Sequence, residues 1–313
     1  MSYLCRMKKT TQPLSVYPTI AAFHEELGLP APQHPLISFV SYEGMQFLKH
    51  EFSSRIMLNF YKVSFIHKTN GKVRYGQHYY DFKTGGLCFV GPQQIISGAS
   101  PERSLSGLII FFHPDLIRHH PLGKKISQYG FFSYAVSEAL HLEEKEKEII
   151  LAMFEQIGAE LSSPQDTFSQ GLLVSALELL LDYSNRFYHR QFVSREHNGT
   201  DLLARVDSLL TDYLRSEAPA RSGVPTVQYV SEQLHFSPDY LSDMLRANTG
   251  MNTQQHIHHK LLETARDLLG AGEMSVGEIA YHLGFEQSQS FSRLFKRKTG
   301  QSPLAYQQSL RKE

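Results

Sequence analysis

Gln289 and Arg293 are the two side chains of this 313-residue sequence whose chemistry is easiest to name. A glutamine amide and an arginine guanidinium each make two hydrogen bonds to a base edge, glutamine to adenine and arginine to guanine. Ser288 and Ser292 reach either kind of base. Lys296, Arg297 and Lys298 follow directly and suit phosphate oxygens. Within the same stretch Phe291, Leu294 and Phe295 recur at i, i+3 and i+4. That spacing predicts a helix with one apolar, buried side and one polar, free side. The bland reading of the cations is a solvated helix face. Their continuity with base-reading residues favours phosphate contact.

The surrounding elements support this chemistry because they occur twice. Residues 227–250 read VQYVSEQLHFSPDYLSDMLRANTG, and residues 276–300 read VGEIAYHLGFEQSQSFSRLFKRKTG. Val227, Val230, Leu234 and Phe236 align with Val276, Ile279, Leu283 and Phe285. After one extra residue in the second turn, Leu241, Met244, Leu245 and Gly250 align with Phe291, Leu294, Phe295 and Gly300. Each copy predicts two short helices across a turn. Ser237 before Pro238 reads as an N-cap with proline at the first helical position. Gly250 and Gly300 read as helix stops. The free face of the first copy carries Asp239, Ser242, Asp243 and Arg246. Asp243 matches Arg293; a carboxylate repels phosphates and accepts only from a cytosine amino group. The first unit is therefore expected to read DNA more weakly or more selectively.

Between the copies, Ile257, Leu261, Leu262, Ala265, Leu268 and Leu269 predict a helix over 253–269. About seventeen helical residues span roughly 25 Å. Such a strut can hold two reading heads near one DNA turn apart, about 34 Å. The expected contacts are Ser242, Arg246, Ser288, Gln289, Ser292, Arg293, Lys296 and Arg297. Ordinary packed helices of an all-α domain are the alternative, which the aligned repeat disfavours.

Over about 202–310 the sequence resembles the AraC/XylS family of bacterial transcription regulators. The matching residues include Ser237, Tyr240-Leu241-Ser242, Gly250, Leu261, Ala265, Leu268-Leu269, Ser275-Val276, Glu278-Ile279-Ala280, Gly284-Phe285, Phe291-Ser292-Arg293, Phe295-Lys296, Gly300, Ser302-Pro303 and Tyr306. Lys260 and Gln307 depart from the family's usual arginines, at positions expected to be structural or phosphate-contacting. The resemblance implies sequence-specific DNA binding by a double helix-turn-helix domain, and a cupin-like sensor domain before it.

Bulk properties neither suggest nor oppose this. Net charge is zero, and residues 224–313 hold nine Lys+Arg against nine Asp+Glu. Two cysteines, Cys5 and Cys88, are too few for a disulfide framework. No apolar run approaches the ~20 residues of a membrane span, and the first residues lack a signal-peptide core. A cytoplasmic location is expected. His256 and His259 stand at i, i+3, a spacing that a metal can use; a polar helix face is the favoured reading. No metal or other cofactor is expected, and no enzymatic role.

Residues 36–112 change to short strands with Gly and Pro breaks, as in 60–68, 72–76, 86–91 and 107–114. A small barrel or jelly roll is expected. Gly91-Pro92, 111–115 and 131–134 with Glu138-Ala139-Leu140 resemble one subgroup of the family. On 61–67 the alternation places Tyr61, Val63, Phe65 and His67 on one face, which suits a barrel interior, and Tyr75, Tyr79, Tyr80 and Phe82 extend it. Tyr61, His67 and Tyr79 are the candidate ligand contacts, for a carbohydrate-like or aromatic effector. Filling of the core is the alternative for these aromatics.

Stretches 143–161 and 168–192 predict two helices. The second is apolar around most of its circumference, so cover is expected from the barrel and from a partner chain, or from one chain alone. Residues 195–200 read as a linker, and 218–225 as a loop. The expected architecture is α+β: a cupin-like sensor domain (1–135), a helical linker or dimerisation segment (136–198) and a double helix-turn-helix domain (199–313). The expected function is a transcription regulator responsive to an effector. The alternatives are control by a protein partner, or a cupin-type metalloenzyme with a DNA-binding tail. The expected partners are promoter or operator DNA, a second copy of the chain, a small molecule such as a carbohydrate, and RNA polymerase; no membrane is expected.

Overall fold

The computed structural model describes residues 14–44, 55–69, 73–75, 78–80, 85–97, 105–135, 138–194 and 196–310. The chain divides into two compact units, Met1–Gln191 and Phe192–Glu313.

The first unit begins with β1 (Leu14–Tyr17), α1 (Ile20–Glu26) and β2 (Ile37–Ser41). Then come β3 (Arg55–Leu58), β4 (Tyr61–Thr69), β5 (Val73–Tyr75), β6 (His78–Tyr80), β7 (Gly86–Val90), β8 (Ile95–Ser97) and β9 (Leu105–Phe112). Short helices α2 (Pro114–Ile117) and α3 (Pro121–Lys125) lead to β10 (Leu140–His141) and the long helices α4 (Glu144–Ser162) and α5 (Ser169–Ser194). The described strands form a five-stranded antiparallel sheet, β10-β7-β4-β9-β2, a three-stranded sheet, β1-β3-β8, and the hairpin β5-β6. Phe82 and Cys5 lie outside the described residues.

Among the described residues the strands form separate sheets, and no closed barrel is present. The five-stranded sheet ends at a two-residue strand, β10, and both of its faces are covered. On one face Ile66, Cys88, Val90, Ile109 and Phe111 pack with Ile20, Phe23, Leu58 and Ile96 of α1, β3 and β8. On the other, Phe65 meets Phe154 of α4 and Phe89 meets Tyr188 of α5, with ring centroids 6.1 and 6.2 Å apart. The β4 face that carries Tyr61, Val63, Phe65 and His67 therefore packs on helices. The interior between the sheets belongs to the alternate face, with Ser64 and Ile66. Strand alternation separates two faces but cannot say which of two apolar faces meets which layer.

Gly107, opposite Ile66 next to the register shift in β4, has φ 148°. A Cβ there would lie 2.0 Å from the Phe65 carbonyl oxygen, so the strands approach too closely for any other residue. Leu177, Leu180 and Leu181 of α5 are fully buried within the chain, so one chain supplies the cover they need. Phe168 just before α5, and Leu172 and Leu179 on it, stay exposed.

The second unit is helical. α6 (Glu196–Arg215) and α7 (Ala218–Ser222) precede α8 (Val227–Leu234), α9 (Pro238–Thr249), α10 (Thr253–Ala271), α11 (Val276–His282), α12 (Ser288–Thr299) and α13 (Pro303–Leu310). The expected linker at 195–200 is helical from Glu196; the stretch holds no proline, and a polar composition does not by itself prevent a helix. The expected loop at 218–225 contains the one-turn α7. Val230, Leu241 and Leu245 on one side, and Ile279, Phe291 and Phe295 on the other, are buried together with the Ile257, Leu261 and Ala265 stripe of α10. Lys260 Nζ lies 2.8 Å from Asp207 Oδ1 of α6 and 3.3 Å from Glu263. The hydrogen bond to Asp207 raises the lysine's pKa most, so its charge is engaged in holding two helices.

Candidate nucleic-acid interface

The two helix-turn-helix units are alike beyond their apolar residues. Thr226 caps α8 by accepting from Tyr229 N at 3.1 Å, and Ser275 caps α11 by accepting from Glu278 N at 3.3 Å. Ser275 N in turn donates to the Glu278 carboxylate at 2.7 Å, a reciprocal capping box. The two bonds from Ser275 hold the Glu278 carboxyl below its usual range. α9 and α12 are each twelve residues long and stop at glycines with φ 75° and 84°. Thr249 Oγ1 lies 2.8 Å from the Leu245 carbonyl and 3.3 Å from that of Met251. Thr299 Oγ1 lies 2.8 Å from the Phe295 carbonyl and 3.1 Å from that of Gln301. These bonds close the last turn of each second helix in the same way.

The turns differ by the extra residue of the second copy. His235 and Gly284 hold equivalent left-handed positions, φ 62° and 89°. The Gly284 backbone also lies against Gly223: a Cβ on Gly284 would be 2.5 Å from the Gly223 carbonyl carbon. Tyr213 of α6 donates to the Gly223 carbonyl at 2.8 Å and fixes that contact.

On α12, Phe291, Leu294 and Phe295 are buried, while Gln289, Arg293, Lys296, Arg297 and Lys298 are exposed. Gln289, Arg293 and Lys296 follow each other at helical spacing and form one outward row. Ser288 is half-buried beside them. Ser292 is half-buried on another side, where it lines a groove of about 440 Å³ with Ser275, Ser302 and Gln307. The row can meet base edges at Gln289 and Arg293, with Lys296 and Arg297 toward a backbone.

On α9 the matching row is Asp239, Asp243 and Arg246. Arg246 Nη1 donates to Asp243 Oδ1 at 2.5 Å. Ser242 Oγ lies 3.0 Å from Thr253 Oγ1 at the start of α10, so this hydroxyl is engaged with the fully buried Thr253. The Asp243–Arg246 pair is the feature that sequence reading missed. Opposite charges at i, i+3 on a predicted helix were its signal.

Of the strut histidines, His256 and His258 are half-buried and His259 is exposed. His256 Nε2 lies 2.8 Å from Thr249 Oγ1, and burial, then the neighbouring His259, lowers its pKa. Burial lowers the pKa of His258 as well, followed by the charges of Lys298 and Arg297. Among the described residues no group of three or more His, Cys, Asp or Glu is placed to hold a metal ion.

In the first unit the candidate ligand contacts are spread along β4 and beyond. Tyr61 stacks on Phe112 at 4.7 Å, and burial raises its pKa. His67 is exposed at the far end of the strand. Tyr79 pairs with Arg74 in the β5-β6 hairpin. The hydroxyl of Ser64, 1% exposed between the sheets, has no hydrogen-bond partner among the described residues.

A family model described as a helix-turn-helix domain matches residues 230–309. The transcriptional activator RhaS of Escherichia coli O157:H7 is 32% identical over 157 residues, covering 49% of this chain and 50% of RhaS. The regulator YijO of Escherichia coli K12 is 33% identical over 81 residues, covering 26% of this chain and 29% of YijO. The chain thus spans about half the length of RhaS and less of YijO. Among solved structures, the C-terminal domain of AraT from Geobacillus stearothermophilus is 27% identical, with a TM-score of 0.31 over 34% of this chain and 84% of that one. ToxT from Vibrio cholerae O395 is 16% identical, with a TM-score of 0.30 over 81% of this chain and 90% of that one. Residues 230–309 of this chain thus match a helix-turn-helix domain, and its two units are joined by α10.

Proposed function

We propose that the chain is a sequence-specific DNA-binding transcription regulator, not an enzyme, and that it acts in the cytoplasm. The observation that carries this reading is the outward row Gln289, Arg293 and Lys296 on α12, held rigid by three buried apolar residues of the same helix. The relatives' names as transcriptional regulators support it. No helix among the described residues is long and apolar enough to cross a membrane. Footprinting of the purified chain on the DNA that flanks its own gene tests the proposal. A protected site of defined sequence is the expected result. Equal affinity for that DNA and random DNA overturns it.

The sheet unit is proposed to receive a small-molecule signal. Ser64 supports this, because a buried hydroxyl without a partner is costly unless something else satisfies it. Ser64→Ala, with Tyr61→Ala, His67→Ala and Tyr79→Ala alongside, is tested in a reporter assay. Loss of induction with unchanged DNA binding and thermal stability is expected for at least one of these variants. No selective loss in any of them rejects the sensor role.

The exposed Phe168, Leu172 and Leu179 support a homodimer through α5. Leu172→Glu with Leu179→Glu should convert a dimer to a monomer in sedimentation at micromolar concentration. A wild-type chain that is already monomeric there rules the dimer out.

A further inference from the structure

We infer that Asp243 is a positioning residue: it fixes the guanidinium of Arg246 for base reading and so makes the first helix-turn-helix unit the selective one. The inference rests on the DNA-binding reading of the second unit's fold.

α9 and α12 share length, glycine stop and terminal threonine bonds, so their differences lie in their outward faces. Equivalent positions carry Asp239, Asp243, Arg246 and Ala247 on α9, and Gln289, Arg293, Lys296 and Arg297 on α12. The α12 face therefore offers three cations where the α9 face offers two carboxylates and one guanidinium. A face of that charge gains little from phosphates, and an isolated carboxylate facing them is repelled.

Asp243 is not isolated. Its Oδ1 accepts from Arg246 Nη1 at 2.5 Å, and the side chains are 27% and 53% exposed. The carboxylate is the less exposed partner, so it forms the fixed end of the pair. A guanidinium has five N–H donors in a planar fork. With one edge turned to Asp243, another edge can still address the O6 and N7 acceptors of a guanine. Pinning the fork removes rotamer freedom before DNA arrives and fixes which base pair it meets. The same carboxylate weakens attraction to every sequence alike. Lower general affinity and sharper choice thus come from one residue.

The test is selection by the full-length chain from a duplex pool with a randomised central region, with binding to a random-sequence duplex measured in parallel. Wild type, Asp243→Ala, Asp243→Asn, Arg246→Ala and the double alanine variant are compared, with thermal melts as a control for folding. Arg246→Ala should flatten preference at one base pair, about tenfold. Asp243→Ala should flatten the same base pair while binding the random duplex more tightly, and the double variant should lose no more. Asp243→Asn keeps an acceptor for Arg246 without the charge. It should bind the random duplex like the alanine variant yet retain more of the preference, a split that a merely structural role does not produce. Preference intact in Asp243→Ala overturns the inference, as does a uniform loss on all sequences. A wild-type chain that enriches no sequence overturns the DNA-binding reading itself, and this inference with it.

Discussion

His235 and Gly284 stand at the same corner of the two duplicated units, and both hold a left-handed backbone, φ 62° and 89°. A residue with a Cβ is disfavoured there, whereas glycine adopts the conformation freely. His235 is exposed, so its side chain contributes little packing. His235→Gly should stabilise the helical unit by about 0.5–1 kcal/mol in urea unfolding. Gly284→Ala should cost roughly 3 kcal/mol, because the strain adds to a clash with the Gly223 backbone. A neutral Gly284→Ala variant would show that the two turns can separate.

Base and backbone contacts on α12 should be separable by mutation. Arg293→Ala should cost about 1–3 kcal/mol on a selected site and relax one position. Lys296→Ala and Arg297→Ala should weaken all sequences alike, and each should reduce the slope of log affinity against log salt by about 1. Titrations at several salt concentrations distinguish the classes. Equal losses on selected and random DNA for Arg293→Ala would remove it from the base readers.

The sheet unit should lose stability in acid through Asp182. Burial works against its ionisation, but hydrogen bonds from Lys125 and Tyr129, 2.7 Å each, outweigh it and leave the carboxyl below its ordinary pKa. A carboxyl that ionises more readily in the folded chain favours folding above its unfolded pKa. That contribution disappears as pH falls through the lower, folded value. Stability should therefore decline below about pH 4, and less steeply in Asp182→Asn. Superimposable pH profiles for the two chains would contradict the assignment.

Cys88 should be chemically silent while the chain is folded. The residue is 8% exposed, and burial pushes the thiol's pKa up to about 12 against the opposing charge of Lys62. The thiolate is the reactive form. In a Cys5→Ser background, iodoacetamide should label Cys88 only as fast as the sheet unit opens, with rates that rise alongside urea unfolding. Rapid labelling in native buffer would show an open path to the thiol.

The sequence made the helical unit legible because each signal was local. Ser237-Pro238, Gly250 and Gly300 mark helix ends, and Val230, Ile279, Leu241 and Phe291 mark buried faces. Contacts between elements left no such mark. The bond between Ser242 and Thr253 joins two elements and leaves no trace in the sequence. For Leu177 and Leu180 the sequence leaves cover by a partner chain or by one chain alone open, and only their burial within the chain decides it. On β4, Tyr61 and Ser64 both lie on apolar faces, and only the placement of α4 and of β3 assigns one face to the helices and the other to the sheet interior. The Asp243–Arg246 pair is visible as i, i+3 spacing, but aligning the two copies sets Asp243 against Arg293 and hides its neighbour.

The matching length and C-terminal ends of α9 and α12 bear on how such a chain changes over generations. Outward positions 239 and 246 are exposed while Leu241, Met244 and Leu245 are buried, so substitutions at those two positions leave folding nearly untouched. Each head can then drift toward a new site while the other keeps the protein on DNA. The duplication supplies a spare, and divergence of the spare has a low threshold.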